Sequence, residues 1–160
     1  MIQLMIPGKG SLEISYLLLD LNGTIALDGK LLTGVKNRIR RLSSMLEIYL
    51  VTCDTHGNAT RIADDLGIKV ECVTGSDGRD EALSKAKFVK FLEPAHTASI
   101  GNGNSDTLMF RDCVLSIAIL GKEGVSVKAL LQADLLVKDI RDALDLLLLK
   151  KRLISSLRGY

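Results

Sequence analysis

Aromatic residues are scarce in this chain, which has no tryptophan, three phenylalanines and three tyrosines among 160 residues. The formal net charge is only +2. Together these features argue against nucleic-acid binding, which needs a basic surface and stacking side chains. Hydrophobic residues make up 47% of the chain and charged residues 25%, an ordinary balance for a globular protein that argues against intrinsic disorder. We therefore expect one folded domain over residues 1–160.

Cysteine is also rare, and Cys53, Cys72 and Cys113 are odd in number and far apart. This spacing predicts reduced thiols in the core of a cytoplasmic protein, rather than a disulfide framework or a zinc site. Long hydrophobic runs are absent too, since the leucine run Leu146–Leu149 is far shorter than a membrane span. The start, Met1–Gly8, lacks the basic segment and apolar core of a signal peptide. We therefore expect neither a membrane span nor a targeting sequence.

Short apolar runs alternate with amphipathic stretches of helical length, which predicts a three-layer, doubly wound α/β fold with a mostly parallel sheet. The candidate strands are Tyr16–Leu19, Ile48–Val51, Lys69–Cys72, Thr97–Ile100, Val114–Ile119 and Leu135–Val137. The candidate helices are Gly34–Met45, Gly57–Leu66, Asp80–Leu92, Ser105–Asp112, Ser126–Gln132, Ile140–Leu149 and Lys151–Leu157.

Two β-hairpins are predicted outside this alternation. Ile2–Ile6 and Leu12–Ser15 predict an N-terminal hairpin at a sheet edge. Residues 25–32 predict a small flap, because Asp28-Gly29 supplies the positive φ angles of a type I′ turn. No insertion is large enough to form a separate cap domain.

The apolar run Tyr16–Leu19 leads directly into Asp20-Leu21-Asn22-Gly23-Thr24. A buried parallel strand delivers the residue that follows it to the carboxyl edge of the sheet, where open α/β folds bind their ligands. A carboxylate there, followed by a tight glycine turn and a hydroxyl, suits a nucleophile or a metal ligand. A turn-capping aspartate is the simpler alternative for this residue taken alone.

Three further groups of polar residues are expected around the same edge. Thr52 follows the candidate strand Ile48–Val51, and a hydroxyl beside free amides at a helix start can bind phosphate. One predicted helix carries Lys85, Lys87 and Lys90. Another apolar strand is followed by Gly101-Asn102-Gly103-Asn104-Ser105-Asp106.

In this combination and order, the sequence resembles the haloacid dehalogenase-like superfamily of phosphatases and phosphotransferases. Within it, the chain is similar to small cap-less proteins related to the phosphorylation domain of P-type ATPases. The matching stretches are Leu19–Thr24, Val51–Thr55, Gly101–Asp106 and Leu153–Arg158. The resemblance implies Mg²⁺-dependent phosphoryl transfer from a small-molecule phosphate to Asp20, which becomes an aspartyl phosphate.

The resemblance also implies roles for the other residues. Thr52 would hydrogen-bond the transferring phosphoryl group. Lys85 fits the family spacing to the apolar positions Val89 and Leu92, whereas Lys87 and Lys90 are expected to be solvated. The implied metal ligands are Asp20, Asp106, Asn102 and an oxygen at Asn22, and the residues expected around the phosphate are Gly23, Thr24, Cys53 and Asp54.

Two positions depart from the family pattern. Asn22 stands where most phosphatases of the superfamily carry an aspartate as general acid and base, and loss of such a group costs about 10²- to 10⁴-fold in rate. Either the substrates have good leaving groups, as in anhydrides, acyl phosphates and aryl phosphates, or the chain is a weakened phosphate-binding or regulatory module. An interaction domain that keeps only the scaffold is a third interpretation. Asn102 replaces a frequent aspartate, which lowers the negative charge around the metal.

Three expectations stay open at this point. Glu123 is either peripheral to the site or simply a helix-start residue, and His56 is more simply a cap or surface residue than a substrate contact. Cap-less relatives often associate, so the N-terminal hairpin is the expected contact of a homo-oligomer.

Overall fold

The computed structural model describes residues 1–54, 57–73, 75 and 77–159. Within this part of the chain, strands β1 to β10 are Ile2–Ile6, Gly10–Ile14, Tyr16–Leu19, Ala26–Leu27, Lys30–Leu31, Glu47–Thr52, Lys69–Cys72, Thr97–Gly101, Leu115–Ile119 and Leu135–Val137. Helices α1 to α7 are Val35–Leu42, Ala59–Leu66, Gly78–Leu92, Thr107–Asp112, Val127–Leu130, Ile140–Leu148 and Lys150–Leu157. Short 3₁₀ turns span Pro94–His96 and Asn104–Asp106.

The central sheet has six strands in the order β10-β9-β8-β3-β6-β7, and every pairing in it is parallel. From β3 the chain steps outward through β6 to β7, then returns to the other side of β3 and steps through β8 and β9 to β10. The direction of winding therefore reverses between β3 and β8. Open α/β sheets bind ligands at such a switch point, outside the carboxyl ends of the strands.

Helices cover both faces of the sheet, because successive residues of each strand point to opposite sides. Leu17 and Leu19 belong to a core that contains the apolar residues of α1, α2, α6 and α7. Leu18 and Val51 belong to a second core with residues of α3, α4 and α5. This arrangement confirms the predicted three-layer, doubly wound fold.

Predicted and observed elements agree to within a few residues, with differences at helix ends. Helix α1 ends at Leu42 rather than Met45, where turns bonded to the Leu42 carbonyl replace the helix. Helix α5 is a single turn, Val127–Leu130, shorter than predicted. The flap is confirmed as the two-stranded sheet of β4 and β5, and Asp28 and Gly29 at its turn have φ angles of 50° and 72°.

The N-terminal hairpin does not lie at an edge of the main sheet, so that prediction was wrong. Strands β1 and β2 form their own antiparallel pair, and the main sheet ends at β7 and β10. Ser15 ties the hairpin to the amino ends of the strands, because its N–H donates to the His96 carbonyl and its carbonyl accepts from Glu47 N–H, both at 2.9 Å. The chain passes straight from the hairpin into β3, a central strand, so the hairpin lies at the end of the sheet opposite Asp20. Association of copies through it stays a prediction.

Within the described residues the cysteines form no disulfide, and Cys113 is partly buried while Cys53 and Cys72 are exposed. The expectation of core thiols was therefore wrong for the latter two. Cys53 follows β6 in a loop at the carboxyl edge, and Cys72 ends the edge strand β7. Among the described residues, no helix combines the length and the apolar character that crossing a bilayer requires.

Candidate active site

Asp20, Lys85 and Asp106 meet in a buried cluster at the switch point of the sheet. The Lys85 ammonium donates to Asp20 Oδ1 at 2.6 Å and to Asp106 Oδ1 at 2.7 Å. Asp20 follows β3 and Asp106 follows β8, while Lys85 reaches them from the middle of α3. Of the three candidate lysines, only Lys85 is buried, at 1% exposure, whereas Lys87 and Lys90 are exposed.

The charges of this cluster are coupled. Burial raises the pKa of Asp20 to about 6. The Lys85 ammonium acts to lower this pKa, and the Asp106 carboxylate acts to raise it. Burial acts to lower the pKa of Lys85, but the carboxylates of Asp106 and Asp20 outweigh it and raise that pKa above its ordinary value. Lys85 is therefore a fixed positive charge. Two carboxylates against one ammonium leave an excess of one negative charge, which favours binding of a cation.

Thr24 lies between Asp20 and Asn102. Its hydroxyl is 3.2 Å from Asp20 Oδ2 and 3.1 Å from Asn102 Oδ1. Because the hydroxyl carries a single hydrogen, it donates to one of these oxygens at a time. Thr24 is 1% exposed, and its hydroxyl holds the two neighbouring side chains. Its predicted contact with phosphate stays a prediction.

The loop after β8 is folded around the Asp106 carboxylate. Asp106 Oδ2 accepts from the N–H groups of Asn102 at 3.0 Å and Gly103 at 2.9 Å. A Cβ on Gly101 would lie 2.3 Å from the same oxygen, so only glycine fits there. These contacts fix Asp106 against Lys85 and leave the Asn102 side chain facing Thr24.

The turn after β9 packs directly against this loop, a contact that sequence reasoning largely missed. The Asn102 side-chain amide donates to the Gly124 carbonyl at 3.2 Å, and Ser126 N–H donates to the Asn102 carbonyl at 2.8 Å. Glu123 lies against Gly23, since a Cβ on that glycine would be 2.6 Å from Glu123 Oε2. Glu123 is therefore next to the site, and the glycines that flank it in the sequence were the available signal for a close approach.

The loop after β6 has a different local structure. Thr52 is buried, and its hydroxyl accepts from Asp54 N–H at 3.0 Å. Asp54 Oδ1 accepts from Asn58 N–H at 2.8 Å and Ala59 N–H at 2.9 Å, so this carboxylate caps α2. Cys53 is exposed between them, while Thr55 and His56 lie outside the described residues. Phosphate contacts from Thr52, Cys53 and Asp54 stay predictions.

Asn22 is half-buried in the loop after β3, and its side-chain oxygen is buried without a hydrogen-bond partner in the described structure. A buried amide oxygen without a partner is costly, which makes this atom a candidate for a ligand contact.

The donor set available to a metal consists of oxygens. It comprises the carboxylates of Asp20 and Asp106 and the amide oxygen of Asn102, with the Asn22 oxygen close by in sequence. Hard oxygen donors without histidine or cysteine match Mg²⁺, which keeps several ligand positions for water and substrate. Within the described residues, no three acidic, histidine or cysteine side chains are grouped to hold a metal, so an ion at this site would also need the amide oxygen of Asn102. The residues present fit a Mg²⁺ ion with few protein ligands.

Several solved structures with a similar fold are phosphatases. The cobalt-bound deoxy-D-mannose-octulosonate 8-phosphate phosphatase of Haemophilus influenzae is 15% identical, with a TM-score of 0.67 over 86% of this chain and 88% of that one. The corresponding enzyme of Moraxella catarrhalis, in complex with magnesium, phosphate and KDO, is 18% identical, with a TM-score of 0.64 over 84% of this chain and 86% of that one. A phosphoserine phosphatase in apo form is 12% identical, with a TM-score of 0.65 over 83% of this chain and 98% of that one.

These similarities show that the chain has the haloacid dehalogenase-like fold, as the motifs predicted, and the described residues form no cap domain. No family model matches the sequence. An uncharacterised protein of Methanocaldococcus jannaschii is 40% identical over 82 residues, which cover 49% of this chain and 88% of that protein. The chain belongs to the same family as this archaeal protein. A second uncharacterised protein of that organism is 56% identical over 39 residues, which cover 24% of this chain and 89% of that protein.

Proposed function

We propose that the protein is a Mg²⁺-dependent phosphatase or phosphotransferase that works through an aspartyl phosphate on Asp20. The observation that carries this proposal is the buried contact of Lys85 with both Asp20 and Asp106 at the switch point of the sheet. The solved phosphatases of the same fold support it, and the magnesium and phosphate ions bound to one of them support the choice of cofactor and substrate class. The likeness to P-type ATPase domains stays a prediction.

Asp20 supplies the nucleophile. Its carboxylate attacks phosphorus, an oxygen–phosphorus bond forms, and the ester or anhydride oxygen leaves with the bonding electrons. Water then attacks the aspartyl phosphate, which releases inorganic phosphate and restores the carboxylate. Lys85 stabilises the negative charge that the carboxylate and phosphoryl oxygens share. Mg²⁺, held by Asp20, Asp106 and Asn102, would neutralise phosphate charge and orient the phosphoryl group.

Asn22 restricts the substrates. An amide cannot protonate a leaving group, so esters and anhydrides whose leaving groups depart as stable anions should react best. The same residue motivates a second candidate function, a phosphate-binding or regulatory module with little turnover. Its buried, unpartnered side-chain oxygen favours a bound ligand near Asn22 in either case.

Hydrolysis of an aryl phosphate with Mg²⁺ and with chelator tests the proposal. Wild type should release phosphate only with Mg²⁺, and Asp20→Asn should reduce the rate to background. Asp142→Asn, an exposed carboxylate outside the site, should retain the wild-type rate. If wild type is inactive yet binds beryllium fluoride in a Mg²⁺-dependent way that Asp20→Asn abolishes, the regulatory module is supported. Absence of both turnover and binding would overturn both functions.

A further inference from the structure

A cleft of about 530 Å³ opens beside the site, between the flap and the carboxyl ends of β9 and β10. Gly23 and Thr24 line its inner end. Its volume falls in the range of small-molecule sites, roughly 300–1,000 Å³. The mechanism proposed above uses none of the residues that line the cleft, so the cleft is additional space next to the reacting groups.

The inner end of the cleft lies next to the nucleophile, with Thr24 between them. Thr24 lines the cleft, and the hydroxyl of Thr24 lies 3.2 Å from Asp20 Oδ2. A phosphorus atom bound at Asp20 would therefore be within a few bond lengths of the inner end of the cleft. The leaving group is the part of such a substrate that needs this room.

The inner walls are apolar. Leu27 from the flap, Leu32 ahead of α1, and Ile119 with Leu120 at the end of β9 line the cleft. Leu120 is 47% exposed, an apolar surface that a bound molecule would cover. Such walls suit a ring or hydrocarbon body, because burying apolar area is favourable in proportion to the area removed from water.

The rim is positively charged. Lys122 follows β9, while Lys138 and Arg141 flank the start of α6. Arg141 is neutralised by Asp139, to which it donates at 2.7 Å and 2.6 Å. Neither lysine takes part in an ion pair within residues 1–54, 57–73, 75 and 77–159. The rim therefore carries an excess of two positive charges.

On the basis of the proposed function, we infer that this cleft is the leaving-group subsite of the enzyme. It takes a phosphate ester whose leaving group has an apolar body and a second anionic group, either a carboxylate or a phosphate. Lys122 and Lys138 bind that second anion, while the phosphoryl group lies at Asp20. This charge requirement makes the subsite specific although the described part of the chain forms no cap domain.

Hydrolysis of a matched pair of aryl phosphates, 3-carboxyphenyl phosphate and 3-carbamoylphenyl phosphate, tests the subsite. The bisphosphate of 1,3-dihydroxybenzene tests whether a second phosphate can replace the carboxylate. These esters have similar shapes and differ in the charge of the leaving group. Wild type should prefer the carboxylate or the bisphosphate over the carboxamide by up to about fivefold in kcat/KM, the range for an exposed charge pair. Whichever anion gives the larger preference identifies the source of the second charge.

The double variant Lys122→Ala/Lys138→Ala should bring that ratio close to one, mainly by raising KM for the anionic esters. Lys150→Ala removes an exposed lysine at the start of α7, outside the cleft, and should keep the wild-type ratio. Equal kcat/KM for charged and neutral esters in wild type would overturn the subsite while leaving the phosphatase function intact. If wild type hydrolyses none of these esters and Asp20→Asn does not differ from it, the subsite falls together with the proposed function.

Discussion

Lys85 and Asp20, 65 residues apart in the chain, form a 2.6 Å ion pair that is almost fully withdrawn from solvent. The ammonium also holds Asp106, so one lysine compensates two buried carboxylates. Removing one partner of such a group leaves uncompensated charge in the interior, which is far more costly than losing a surface ion pair.

Lys85→Met should therefore lower the free energy of unfolding in chelator by about 3–5 kcal/mol, because Asp20 and Asp106 would lose the buried ammonium that compensates both of them. Urea unfolding followed by circular dichroism measures this loss. Lys90→Met, an exposed position on the same helix, should change stability by less than about 0.5 kcal/mol. Equal stability of both variants would contradict the role of Lys85 as the charge that holds the site together.

Asn22→Asp should restore a group that can protonate leaving groups. We expect a gain of up to about 10²-fold in kcat for an alkyl phosphate and a much smaller gain for an aryl phosphate, whose leaving group needs little protonation. Steady-state rates with both esters measure the difference. The double variant Asp20→Asn/Asn22→Asp should be inactive, and a uniform gain with both esters would argue against a general-acid role at position 22.

Gly23→Ala should disturb the packing of the site in addition to straining the backbone. Gly23 has a φ of 75°, and a Cβ there would lie 2.5 Å from Asn102 Nδ2 as well as against Glu123. Gly124→Ala is the matched control, because its φ is 79° but nothing lies within 4 Å of the added Cβ. Left-handed strain should cost both variants about 1–2 kcal/mol, and the clash should add about 1–3 kcal/mol for Gly23→Ala alone.

Thermal unfolding and Mg²⁺ binding measure this comparison. We expect Gly23→Ala to lose Mg²⁺ affinity as well as stability, since Asn102 must move away from the added methyl group. Similar losses in the two variants would contradict a close packing of the loops after β3, β8 and β9.

The ion pair between α1 and α6 should make stability depend on pH. Arg38 Nε and Nη2 donate to the two Asp145 oxygens at 2.9 Å and 2.8 Å, and these hydrogen bonds hold the pKa of Asp145 below its ordinary value. A lowered carboxyl pKa contributes stability above the unfolded-state pKa of about 3.9, and this stability is lost as pH falls through the folded-state value.

Asp145→Asn should therefore destabilise the protein at pH 7, and the difference from wild type should shrink as pH falls below about 4. Urea midpoints between pH 7 and pH 3 measure this trend. Asp142→Asn, an exposed carboxylate on the same helix, should follow the wild-type pH dependence. A pH-independent difference for Asp145→Asn would contradict the electrostatic account.

The sequence by itself determined the order of strands and helices. It also placed Asp20, Asn102 and Asp106 at the carboxyl edge of the sheet, and the resemblance to the family selected Lys85 from three candidate lysines. Apolar runs and helical spacing are local signals, and parallel strands bring all their carboxyl ends to one edge. That rule placed distant motifs together before any contact was known.

Only the tertiary structure decided which atoms touch. In the structure, the Thr24 hydroxyl contacts Asp20 and Asn102. The Asp54 carboxylate caps the start of α2, and Glu123 packs against Gly23. The N-terminal hairpin lies at the amino ends of the central strands, and Cys53 and Cys72 are exposed. Each of these outcomes depends on which strands become neighbours and on what fills the space between their loops. The spacing of residues in the sequence does not specify such packing, because the packing is fixed by contacts between segments that are far apart in the chain.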